Sequence, residues 1–120
     1  MKLLIHFIFL ISLTLASDVS EDTAKITYLL DKIESSGAIF IRNGDEHPAK
    51  KAREHLEHKL KMAKRMFWFF GPEKEVSVDD FINKIASKSS TTDKEYHVRL
   101  KDGRTVKTEK WLKELLEKYP

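Results

Sequence analysis

The sequence predicts a single α+β domain: four helices with a short central strand and a C-terminal β-hairpin, in the order α-β-α-α-β-β-α. Three observations lead there. A long helical pattern opens at Pro48, and Ala49, Ala52, Leu56, Leu60, Ala63, Met66 and Phe70 follow at spacings of three and four, in one stripe along about six turns. Shorter apolar sets with the same period stand on either side of it, at Ile26-Leu29-Leu30-Ile33, at Phe81-Ile82-Ile85 and at Trp111-Leu112-Leu115-Leu116. Tyr96, Val98 and Leu100 alternate with polar residues just before Asp102-Gly103, the pattern of a half-buried strand entering a hairpin.

Residues 1–16 read as a secretory signal. Met1-Lys2 is a positive start, Leu3 to Leu15 is an apolar run too short for a stable membrane span, and Thr14-x-Ala16 is a small-residue cleavage site. Residues 17–120 are then the mature domain, beginning at Ser17. An uncleaved anchor would call for a longer run and a basic flank, whereas Asp18, Glu21 and Asp22 are acidic.

The first helix starts at Ser20, with Glu21 and Asp22 in the turn where the helix dipole favours negative charge, and Gly37 ends it. Ala38-Ile39-Phe40-Ile41 has no alternation, which predicts a strand covered on both faces. Asn43-Gly44 tolerates positive φ and is expected to turn the chain straight into the long helix, with His47 at its cap and Pro48 at its first helical position. The small residues of that helix come first, predicting close backbone approach. The bulky ones come last, in the knot Met66-Phe67-Trp68-Phe69-Phe70, and Gly71-Pro72 is the stop.

Ser77-Val78-Asp79-Asp80 has the form of a capping box and starts a third helix. The run Ser87 to Asp93 is expected to be loop, since it has no apolar residue and many hydroxyls that compete for backbone bonds. Lys101-Asp102-Gly103-Arg104 turns a hairpin back through Thr105-Val106-Lys107, and Thr108 is expected to cap the last helix.

Composition narrows the function. The chain has 120 residues, 22 Lys and Arg against 19 Asp and Glu, and no cysteine. Thiol catalysis, disulfide staples, thiolate zinc sites and a lipidated N-terminus are excluded. Without the leader the formal charge is about +2, too even to argue for nucleic acid.

Several residues invite a chemical reading. His55 and His58, three apart beside Glu54, resemble half a metal site, but the spacing of zinc proteases is missing, so no metal or other cofactor is expected. The Ser-rich run from Ser87 invites a serine hydrolase, yet it has neither Gly-x-Ser-x-Gly nor Ser-x-x-Lys. Asp45 and Glu46 are better explained by the positive end of a helix than as a catalytic pair. The basic face carrying Lys61, Lys64 and Arg65, followed by Trp68 and Phe69, could meet an anionic membrane surface. A solvated basic face with its aromatics in the core is the preferred reading, because a chain this small needs them inside.

Three stretches together resemble a family of small exported bacterial proteins of uncharacterised function, the YfeK-like family. They are Phe40-Ile41-Arg42-Asn43-Gly44-Asp45-Glu46, then Asp80 to Ser90, then Tyr96-His97-Val98 ahead of Trp111-Leu112, in a match spanning about Ile26 to Leu116. The resemblance implies export and a small α+β domain, and it implies no reaction.

Two polar bends remain unexplained by packing: Arg42-Asn43-Gly44-Asp45-Glu46 and the Ser/Thr run. They are expected to meet, with Arg42 and Glu46 bonding the hydroxyls of Ser87, Ser89 and Ser90 near Tyr96. The result is either a structural polar clasp, which is preferred, or a binding pocket. The functional expectation is a non-enzymatic binding or interaction module, periplasmic or secreted, acting on an unidentified protein or envelope ligand. A peripheral membrane binder is the first alternative and a Ser-dependent hydrolase the second.

Overall fold

Asn43 at φ 52 and Gly44 at φ 83 are the two-residue loop of a tight β-hairpin. It joins β1 (Ile39–Arg42) to β2 (Asp45–Pro48), with Arg42 opposite Asp45 and Ile39 opposite Pro48. Pro48 thus ends a strand and does not open the helix. Hydrogen-bonded pairs alternate from the closing pair, so Pro48 falls at a non-bonded position of an edge strand, where its missing N–H costs no ladder bond. Likewise, His47 is a strand residue and not a helix cap.

The computed structural model describes residues 21–70 and 75–120, with residues 67–70 described by their backbone alone. The expected leader, the Gly71-Pro72 stop and the side chains of Trp68 and Phe69 lie outside the described residues. Helix α1 covers residues 21–35, and α2 runs unbroken over Ala49–Phe70. Helix α3 (Val78–Asp80) widens directly into a π-helical turn, Phe81–Ile85; the strands β3 (His97–Arg99) and β4 (Thr105–Lys107) follow, then α4 (Thr108–Glu117). Among the described residues, four helices and a four-stranded antiparallel sheet make an α+β fold in the order α-β-β-α-α-β-β-α. The sequence reading lacks one of these strands, β2.

The sheet order is β2-β1-β3-β4. Phe40 stands opposite both His47 and Val98, and Val98 opposite Val106, so these residues share one face. That face is the floor of the core. Phe40 and Val98 join Leu29, Ile33, Leu56, Phe81, Ile82 and Leu112 in a single buried cluster, and the Phe40 and Trp111 rings meet edge-on at 5.7 Å. Ile39 and Ile41 point to the other face and are half-buried, so β1 is covered on one side and not on both.

The expected buried face of α1, Ile26, Leu29, Leu30 and Ile33, lies in the core. Arg53 ties α1 to α2 by reaching Asp31 at 2.7 Å and Glu34 at 2.8 Å, and Tyr28 ties α1 to α4 through its hydroxyl on the Leu115 carbonyl. Along α2 the stripe is buried at Ala52 and Leu56, half-buried at Leu60 and Ala63, and exposed at Met66. Its N-terminal half is therefore the docked part, as small residues facing a neighbouring backbone require.

Ser77 caps α3 by accepting from the Asp80 N–H at 3.1 Å. The Ala86 N–H then reaches back five residues to the Phe81 carbonyl, at 2.8 Å. This wide turn buries Phe81, Ile82, Ile85 and Ala86 together. Thr108 does not cap α4: it is the first helical residue, and Lys107 holds the cap position.

Candidate functional site

The hairpin loop leaves Arg42 at the end of β1, on the same face as Phe40 and hence toward α2. There Arg42 Nη1 lies 2.5 Å from His55 Nε2. One turn further along α2, Lys59 Nζ donates to the Lys88 carbonyl at 2.9 Å and to the Tyr96 hydroxyl at 3.4 Å, and sits 5.0 Å from the centre of the Tyr96 ring. Helix α2 thereby presents His55 and Lys59 as a pair, i and i+4, to the hairpin on one side and the Ser/Thr run on the other.

That run is itself a small hairpin. Lys88 and Glu95 form an isolated bridge, the Tyr96 N–H donates to the Ser87 carbonyl, and Ser89 and Lys94 bond through their backbones at 2.9 Å. Asp93 takes φ 60 at the turn, and its carboxylate meets Lys88 Nζ at 3.1 Å. The hydroxyls serve this local frame. Ser87, buried, donates to the Ile82 carbonyl, continuing the π-helical step by one residue. Ser89, also buried, pairs with the Thr91 hydroxyl at 3.2 Å and accepts from the Thr92 N–H at 3.3 Å. Ser90 is exposed.

The two polar bends do come together, but through other bonds than those expected. Thr92 Oγ1 donates to Asn43 Oδ1 at 3.2 Å. Arg42 goes to His55 and not to a serine. Glu46 lies on the far face of the sheet and pairs with Arg99. The reason for Glu46 is the added strand, in which adjacent side chains point to opposite faces.

Between the bends lies an open cleft of about 330 Å³, with Arg42, Asn43 and Asp45 on one wall, His55 and Lys59 on its floor, and Ser89, Ser90 and Tyr96 on the other wall. A second, more interior cavity of about 180 Å³ lies between the sheet, α2 and the start of α4. Arg42, His55 and Tyr96 line both spaces and so form the partition.

The electrostatics of the partition are those of crowded, partly desolvated cations. Burial, then the charges of Arg42 and Lys59, push His55 down to about 4, so its imidazole is neutral near pH 7. Burial and then Arg42 also lower Lys59, to about 8. Burial pushes the Tyr96 hydroxyl up, against the opposing pull of Arg42. Among the described residues no carboxylate lies within ion-pairing distance of Arg42 or Lys59.

His58 is exposed while His55 points inward, so the two histidines part company, and no group of three or more His, Asp or Glu among the described residues is placed to hold a metal. Lys61, Lys64 and Arg65 are exposed with Met62 and Met66 on the outer half of α2. No described helix is long and apolar enough to cross a membrane. Sequence reasoning missed His47, His55, Lys59 and Thr108 as cleft or cavity residues. The i, i+4 spacing of His55 and Lys59 beside buried Leu56 was the available signal; for His47 and Thr108 none existed without β2 and the α4 start.

No curated protein matches the chain, and no solved structure does. Residues 20–120 match a family model whose description is "Family of unknown function (DUF5329)". The match takes in every element that builds the cleft, and the chain belongs to this family of unknown function.

Proposed function

We propose that this chain is an exported, non-enzymatic binding module of the YfeK-like kind, working in the cell envelope, and that the cleft between the two bends is its binding site for an anionic group on its partner. One observation carries the reading: Arg42 and Lys59 are half-buried cations that face open space without a carboxylate partner among the described residues. Desolvating unpaired cations is costly, and a fold keeps them so where an anion completes them. The serine hydroxyls support the non-enzymatic side of the reading, since Ser87 and Ser89 are spent on the local backbone.

Affinity capture from an envelope fraction tests this, with the wild-type chain and an Arg42→Gln, Lys59→Met variant side by side. A partner held by the wild type and lost by the variant is the expected result. A partner held equally by both removes the cleft as the site.

A second reading, peripheral binding to anionic membranes, has its own observation: Met62 and Met66 are 45% and 63% exposed among Lys61, Lys64 and Arg65. Co-sedimentation with anionic vesicles at low salt tests it. Sedimentation that does not change when Met66→Asp is introduced would remove it.

A further inference from the structure

We infer that the interior cavity beside Arg42 is a binding site for a small organic anion, a carboxylate carried on a short apolar body. The inference goes beyond the cleft and does not depend on what the cleft binds. Its first support is a coincidence of unsatisfied groups. Two buried side-chain polar atoms stand without a hydrogen-bond partner among the described residues, His47 Nε2 and Thr108 Oγ1, and both residues line this one cavity. Thr108 is 1% exposed. Buried polar groups are nearly always paired, and both of these orphans belong to residues that line one cavity, His47 on the edge strand β2 and Thr108 at the start of α4.

The sign of the ligand follows from the lining. Arg42, His55, His47 and Lys51 contribute nitrogen groups, and Thr108 and Tyr96 hydroxyls, while no Asp or Glu among the described residues lines the space. Such a set can donate to an oxygen anion and brings no carboxylate to hold a cation. The lining also has an apolar wall, to which Phe40, Ala52, Leu56 and Ala86 contribute. A fully hydrated anion such as phosphate would meet that wall unfavourably, whereas a carboxylate with an apolar body satisfies both sides. The volume of about 180 Å³ is close to the ~150 Å³ known to hold benzene, which sets the scale at a few carbon atoms.

The fold supports this placement. The π-helical turn carries Ala86 into the cavity wall, and a β2 strand is needed to aim His47 inward beside Phe40. A regular helix and a simple turn at those two places would leave neither residue there.

The test is a titration of the ¹⁵N-labelled full domain with benzoate, benzyl alcohol and inorganic phosphate, followed by amide shifts. The expected result is saturable movement of Ala52, Ala86 and Thr108 by benzoate at millimolar levels, at least ~10-fold weaker binding of the neutral alcohol, and no movement of these amides by phosphate. Thr108→Val should weaken benzoate several-fold with the spectrum otherwise preserved. Should that variant fail to fold, the wild-type His55 imidazole gives the second readout: benzoate should raise its titration midpoint. Equal binding of benzyl alcohol, or no saturable shift with benzoate, would overturn the proposal. So would shifts confined to Asn43 and Thr91, which would place the anion in the open cleft and leave that reading standing alone.

Discussion

Arg42 Nη1 donates to His55 Nε2 across 2.5 Å, joining the end of β1 to the second turn of α2. A guanidinium has no acceptor, so His55 accepts on Nε2 and carries its proton on Nδ1. The contact requires a neutral imidazole.

A pH dependence follows. Burial and Arg42 hold the folded His55 at about 4, below its ordinary value of 6.5. Between those values the unfolded chain takes up a proton that the folded chain refuses. Stability is therefore full above about pH 6.5 and is lost as pH falls toward about 4. After allowance for solvent screening at a half-buried site, the loss is about 1–2 kcal/mol. Urea unfolding of wild type and His55→Gln at pH 7 and pH 4.5 measures it as the difference between the two, which cancels the carboxylates. Parallel losses in both proteins would contradict the assignment.

Among the described residues Phe81 is the largest fully buried side chain, and it opens the π-helical turn. Phe81→Ala should cost about 3–5 kcal/mol, a large share of the roughly 5–15 kcal/mol such domains possess. Lys84→Ala, which removes only an exposed ion pair with Asp80, should stay within about 0.5 kcal/mol. Equal denaturation midpoints for the two variants would mean that the turn is not part of the core.

The helices were legible because each has a clean apolar set. Ile26-Leu29-Leu30-Ile33 and Leu112 needed nothing beyond their spacing to be placed inside. Strand β2, Asp45-Glu46-His47-Pro48, was not legible, since it has no apolar residue and ends in proline, the reverse of a strand signal. It exists because the Asn43-Gly44 turn folds it back on a strongly apolar β1. The site suffered the same way. That the bends would meet was readable from their surplus of polar groups, but their partners depended on the parity of β2 and on a helix wound wider than 3.6 residues per turn. The parity could be read only by taking Asn43-Gly44 as a two-residue hairpin turn, and no local pattern encodes the wider helix.

Lys59 provides an independent probe of the cleft. Burial, then Arg42, place its amine at about 8. Isotopic methylation of the lysines and a pH titration by NMR should show one resonance, assigned by Lys59→Arg, with a midpoint near that value. Arg42→Gln should move it upward. A midpoint above 10 would mean that the cleft is more hydrated than its geometry implies.

If the chain is exported as its first residues suggest, the protein recovered from the envelope should begin at Ser17. Intact-mass measurement of the native product checks this directly. A product retaining Met1 to Ala16 would count against the leader and against every envelope role built on it.

The hairpin loop offers the cleanest backbone prediction. Gly44 sits at φ 83, and a Cβ built there meets nothing within 4 Å, so substitution is unfavourable for conformational reasons alone. Gly44→Ala should destabilise the domain by about 1–2 kcal/mol. Asn43→Gly keeps the turn and loses only an exposed bond to Thr92, so it should change stability by less than about 1 kcal/mol. The two variants separate the turn from the bend-to-bend contact. If Gly44→Ala were neutral, β2 would not be held in register by this loop, and His47 would lose its fixed position at the cavity.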